Sequence, residues 1–149
     1  MNDETILPLK PVLTLALARR LAAAAEACAR ANGWNVVIAL VDDGGHLVLL
    51  ERMDGTQHGS VRVAMRKART AIAFKRPTKA FEEAIAGGRP GMLSMPVLAL
   101  EGGLPLAVGE HMIGAIGVSG VKSHQDGIVA AAAVEALAAA GGSSPPSAG

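Results

Sequence analysis

Residues 36–52 read VVIALVDDGGHLVLLER, two apolar runs parted by two acids and two glycines. The run from Val36 to Val41 is a strand-forming stretch rich in β-branched residues. Asp42-Asp43-Gly44-Gly45 supplies turn chemistry, because aspartates accept local N–H bonds and glycines take left-handed backbone. The run from His46 to Arg52 then returns. This is a β-hairpin, and so short a connection forces antiparallel pairing.

The flanks alternate between helical and strand patterns. Upstream, Thr14 is placed to cap a helix with Leu17, Leu21, Ala24 and Cys28 at helical spacing, ended by Asn32-Gly33. Downstream, Ser60 opens a helix whose apolar face carries Val61, Ala64, Met65, Ala68 and Ile72, while Arg62, Arg66, Lys67 and Arg69 form a basic group that continues into Lys75-Arg76. Thr78 caps a shorter helix through Phe81 and Ile85, ended by Gly87-Gly88. Three short apolar runs follow, VLALE (97–101), LPLAV (104–108) and MIGAIGVSG (112–120), and read as an antiparallel meander. Ser123, with Asp126 three positions later, starts a last helix in the manner of a capping box. The expected fold class is therefore α+β, a sandwich of helices on two antiparallel groups of strands.

The 149 residues carry 14 Lys+Arg against 13 Asp+Glu, with one Trp, two Phe and no Tyr, which removes the basic patch and the stacking rings that nucleic-acid binding uses. One cysteine excludes an internal disulfide. Residues 1–140 form one domain, and 141–149, GGSSPPSAG, read as a disordered tail. The start, MNDETILPLK, lacks a positive, apolar signal segment, and Glu135 interrupts the longest apolar run, so the expectation is a cytoplasmic chain with no membrane span and no nucleic-acid partner. Small-residue helix faces in so small a domain point to a homo-oligomer.

VDDGGHLVLLERMDG (41–55), KARTAIAF (67–74), LEGGLPL (100–106) and IGAIGVSG (113–120), followed by Gln125-Asp126, occur in this order. In this the chain resembles the GlcG/HbpS family, a domain also found at the C-terminus of PduO, from about Thr14 to Ala139. The resemblance implies a profilin-like α-β-α sandwich with a five-stranded antiparallel sheet flanked by helices, self-assembly, and haem binding or degradation. Similar members are also fused to cobalamin-related proteins or encoded beside catabolic genes for small acids.

Candidate chemistry follows from residue types. Of the four histidines, His111, beside Glu110 in a turn, ranks first as metal ligand or base, followed by His46; His58 and His124 have no partner at a recognised spacing. Arg69 and its basic neighbours suit haem propionates or another small-molecule ligand with an anionic group; a solvated helix face is the equal alternative. Gly102 and Gly103 admit close backbone approach by a ligand or a packed helix. A second reading, an accessory isomerase or hydrolase acting on a small carboxylic acid, assigns Arg52 or Arg69 to the carboxylate and His111 or Glu101 to proton transfer. A third is a non-catalytic structural oligomer. Gly114, Gly117 and Gly120 lie in a strand without a following Lys-Ser or Lys-Thr, which argues against a phosphate loop. Ser94, Ser119, Ser123 and Cys28 lack the setting of a nucleophile, and the methionines read as core filler.

Overall fold

The computed structural model describes residues 6–141. The residues beyond 141 expected to form a tail lie outside this range. Helix α1 (Leu15–Ala31) is capped by Thr14, whose Oγ1 accepts the Leu17 N–H at 3.1 Å. Strands β1 (Val37–Asp42) and β2 (Leu47–Arg52) form the hairpin, then come α2 (Gly59–Phe74), α3 (Lys79–Ala86) and a 3-10 turn over Pro90–Ser94. Strands β3 (Gly103–Val108) and β4 (His111–Ser119) lead into α4 (Ser123–Ala139).

The sheet is antiparallel in the order β2-β1-β4-β3 and has four strands, not the five expected. The missing strand is residues 97–101. Its N–H groups turn to local backbone and side chains instead of a neighbouring strand: Val97 N–H donates to the Met95 carbonyl at 2.8 Å, Leu98 N–H to Thr70 Oγ1 at 3.0 Å and Glu101 N–H to Glu82 Oε2 at 3.4 Å. A strand-like composition needs a strand to pair with, and α2 and α3 took those groups first.

Helix α2 covers one face of the sheet, and α1 with α4 the other. Val41 packs with Ala68, Ala71, Ile72 and Ala115, and Val37 and Ala39 with Ala64. On the far face Ile38, Leu40, Ile116 and Val118 meet Leu21, Ala25, Val129 and Ala133. The alternation along β1 is the period-two pattern of a strand buried on both sides. The approach of α2 is close because Gly117 has no side chain; a Cβ there would stand 2.0 Å from the Ala64 carbonyl oxygen.

Three local expectations are corrected. The buried stripe of α1 is Ala18, Leu21, Ala22, Ala25 and Ala29, with Cys28 half-buried at its edge. The N-cap of α4 is Lys122, whose N–H donates to Gln125 Oε1 at 3.2 Å, while Asp126 is turned elsewhere. Thr78 does not cap α3 with its hydroxyl; Oγ1 accepts the Gly103 N–H at 2.9 Å and ties α3 to the start of β3. No helix among the described residues is long and apolar enough to cross a membrane.

Candidate functional site

The two hairpin turns and the C-terminal half of α2 gather at one end of the sheet. In the β1–β2 turn the Asp42 carboxylate is already committed: its Oδ1 accepts the N–H groups of Gly44 and His46, each at 2.9 Å. Burial alone would push the Asp42 carboxyl up, but these two N–H bonds and the His46 ring outweigh it and hold the carboxyl below its ordinary value. The Asp43 side chain, exposed on the same turn, pairs with Lys10 of the N-terminal segment.

His46 follows, with Nδ1 3.3 Å from Asp42 Oδ1 and a side chain 83% exposed. It lines a hollow of about 360 Å3 with Asp43, Arg69, Ile72 and Ala73. The Arg69 Nε donates to the Gly45 carbonyl at 3.3 Å, which holds the guanidinium over the turn and leaves its terminal amino groups without a partner among the described residues. A second hollow of about 390 Å3 adjoins it, sharing Asp43 and Ile72 and adding Lys75, Glu110, His111 and Met112. Each histidine lies next to a bulge, one extra residue at Val48 on β2 and one at Ile113 on β4, and bulges of this kind re-aim neighbouring side chains. Thus His46 and Arg69 line one hollow, and His111 lines its neighbour.

The remaining candidates do not join them. Arg52 is exposed at the far end of edge strand β2, in register with Val37. Glu101, Gly102 and Gly103 lie at the opposite end of β3 from His111, roughly 17 Å of strand away at the usual rise per residue. His58 and His124 stand at the starts of α2 and α4. Among the described residues no group of three or more His, Cys, Asp or Glu side chains is placed to hold a metal ion.

The sequence reading missed the chemistry at that opposite end. Lys67, counted there with the surface arginines, is only 2% exposed. Its Nζ donates to Asp126 Oδ2 at 3.0 Å and to the Val118 carbonyl at 2.9 Å. Asp126 Oδ1 also accepts the Val121 N–H at 3.2 Å. Burial pushes the Asp126 carboxyl above its ordinary value, against the pull of the Lys67 ammonium, and the nearby Glu101 carboxylate adds to the rise. Glu101 packs against the first turns of α4, where a Cβ on Gly127 would meet its Oε2 at 2.3 Å. The close approach that Gly102 and Gly103 permit is made by Lys67: a Cβ on Gly102 would stand 2.8 Å from Nζ, and one on Gly103 2.5 Å from the Lys67 carbonyl oxygen. The signal was present in the spacing, since Ala64, Lys67, Ala68 and Ala71 fall on one stripe of a 3.6-residue helix.

A model of the family described as "Haem degrading protein HbpS-like" matches residues 13–135. The chain belongs to the HbpS-like family. Within that family it is 43% identical to Protein GlcG of Escherichia coli K12 over 111 residues, 74% of this chain and 83% of GlcG. The fold is similar to the crystal structure of Klebsiella pneumoniae protein ORFY, with a TM-score of 0.82 and 33% identity over 93% of this chain and 97% of ORFY. It is similar also to PduOC, solved as a haem complex, with a TM-score of 0.76 and 29% identity over 85% of this chain and 95% of PduOC. These relations bear out the GlcG/HbpS resemblance.

Proposed function

We propose that this HbpS-like chain binds haem or a closely related tetrapyrrole at the turn end of the sheet, where His46 would hold the iron and Arg69 a propionate. The observation that carries this reading is that one hollow holds both His46 and Arg69 beside the apolar Ile72 and Ala73. The donor set fits the group. An imidazole whose Nδ1 faces a carboxylate keeps Nε2 available to iron, the arrangement that fixes tautomer and basicity in metal-binding histidines. A guanidinium held by the turn carbonyl offers charge-assisted bonds to a carboxylate. The haem complex of PduOC supports the same chemistry from a relative. When bound, haem supplies an iron centre for electron transfer or oxidative chemistry.

His46 takes precedence over His111 on the surroundings. The hollow at His111 is lined by Asp43, Glu110 and Lys75, a polar setting, whereas the hollow at His46 presents apolar side chains to a macrocycle. The reading of an accessory enzyme draws less support: Arg52 and Glu101 stand apart, and the remaining pair, Arg69 and His111, line separate hollows.

The test is a visible-absorption titration of the purified protein with haemin, run beside His46→Ala and His111→Ala. A saturable Soret shift lost in His46→Ala and kept in His111→Ala is the expected result. A shift that never saturates, or one indifferent to His46, overturns the assignment.

A further inference from the structure

Arg69 and Ala73 also line a larger hollow, of about 510 Å3, between α2 and the segment that failed to become a strand. Thr70 builds it: Oγ1 donates to the Arg66 carbonyl at 2.8 Å and accepts the Leu98 N–H at 3.0 Å, fastening residues 96–98 beside the helix. Phe74, Pro96, Val97 and Leu98 form an apolar wall, and Arg66 and Arg69 stand at its margin with no acidic side chain in the lining. The Arg66 guanidinium makes no hydrogen bond or ion pair among the described residues. Two guanidiniums one helical turn apart without a counter-charge repel each other, and an anion placed between them relieves that repulsion.

We infer that this hollow is a binding site for an apolar monocarboxylate, an aliphatic or aryl acid. Its carboxylate meets Arg66 and Arg69, and its hydrocarbon part lies against Phe74 and residues 96–98. The two halves of the lining select the class together. A bare inorganic anion leaves the apolar wall uncovered, and a neutral hydrocarbon leaves the guanidiniums unpaired. The volume is in the range of small-molecule sites. Arg69 borders both this hollow and the one at His46, so an acid bound here draws on the guanidinium that a haem propionate needs. That coupling rests on the haem reading; the acid site itself does not.

The full chain is titrated calorimetrically with octanoate, with 1-octanol as the uncharged comparison. The expected result is saturable octanoate binding that is about tenfold or more weaker in Arg66→Ala, the loss of a charge-assisted bond, and partly restored in Arg66→Lys. Octanoate binding that does not saturate, that is equal in Arg66→Ala, or that octanol matches overturns the site. Arg66 does not line the hollow at His46, so haemin titrates Arg66→Ala as it does the parent chain. A failed haemin titration with intact octanoate binding removes the haem reading alone. Saturating octanoate that lowers haemin affinity supports the sharing of Arg69, and haemin affinity indifferent to octanoate overturns the sharing.

Discussion

Lys67 and Asp126, 59 positions apart in the chain, meet at 3.0 Å with side chains 2% and 3% exposed. Two charges taken out of water are costly, and what offsets the cost here is full satisfaction: the Val118 carbonyl takes another Nζ proton and the Val121 N–H reaches the second carboxylate oxygen. The pair joins α2, β4 and α4. Breaking it from one side leaves a buried charge alone. Lys67→Met is therefore expected to cost about 3 to 5 kcal/mol, measured by urea denaturation, and Lys67→Met with Asp126→Leu should recover much of that loss. A double variant as unstable as the single one would contradict this account.

The β1–β2 turn should be sensitive to acid. Because the folded Asp42 carboxyl titrates below its ordinary value of 3.8, its contribution is fully present above that pH and is lost as pH falls through the folded value. The amide resonances of Gly44 and His46, whose N–H groups it accepts, should shift with a midpoint below 3.8, and Asp42→Asn should abolish the excursion. A midpoint at or above 3.8 rules this out.

Arg69→Ala should weaken haemin binding by about tenfold, from the loss of one charge-assisted bond, without altering the fold, since the residue is exposed. The Soret titration reads the affinity directly. Unchanged affinity returns Arg69 to a solvated helix face.

Gly117→Ala should detach α2 from the sheet. The added methyl would stand 2.0 Å from the Ala64 carbonyl oxygen, backbone against backbone, where no rotamer change gives relief. Overpacking of this kind costs about 1 to 3 kcal/mol, several degrees in Tm by calorimetry. Gly59→Ala, where nothing lies within 4 Å, is the matched control.

Ile6, Leu7, Leu9 and Val12 lead into α1 with exposures of 59% to 92%. Four large apolar side chains on one short segment are more than a lone chain usually shows to water. Light scattering should return a mass above that of one chain, and Leu7→Ser with Leu9→Ser should lower it. A single-chain mass for the parent protein would remove the expectation of a homo-oligomer.

What could be read in advance was local. The hairpin and the Thr14 cap each follow from a few adjacent residues, and both are found. What was hidden depended on groups far along the chain. Residues 97–101 have the composition of a strand, and only the position of Thr70 and Glu82 decides that the Leu98 and Glu101 N–H groups go to side chains. Lys67 sat among four arginines in the reading by charge, although its place on the alanine stripe marked it as buried; the identity of its partner, Asp126, could not be inferred from either neighbourhood. The sequence puts His46 at the start of a strand and His111 in a turn, whereas His46 lies just before β2 and His111 opens β4; that both stand at one end of the sheet is a property of strand order, which the motifs do not encode.

The absence of a fifth strand leaves β3 as the outer strand of the sheet, and β3 carries Pro105 at its middle, opposite Ala115. An unpaired strand edge is an invitation to any passing extended chain, and through it to fibrous stacking. Proline cannot donate a backbone hydrogen bond, so the row of donors along this border is interrupted at its centre. The residue that an interior strand would not tolerate therefore acts here as a guard against runaway sheet extension.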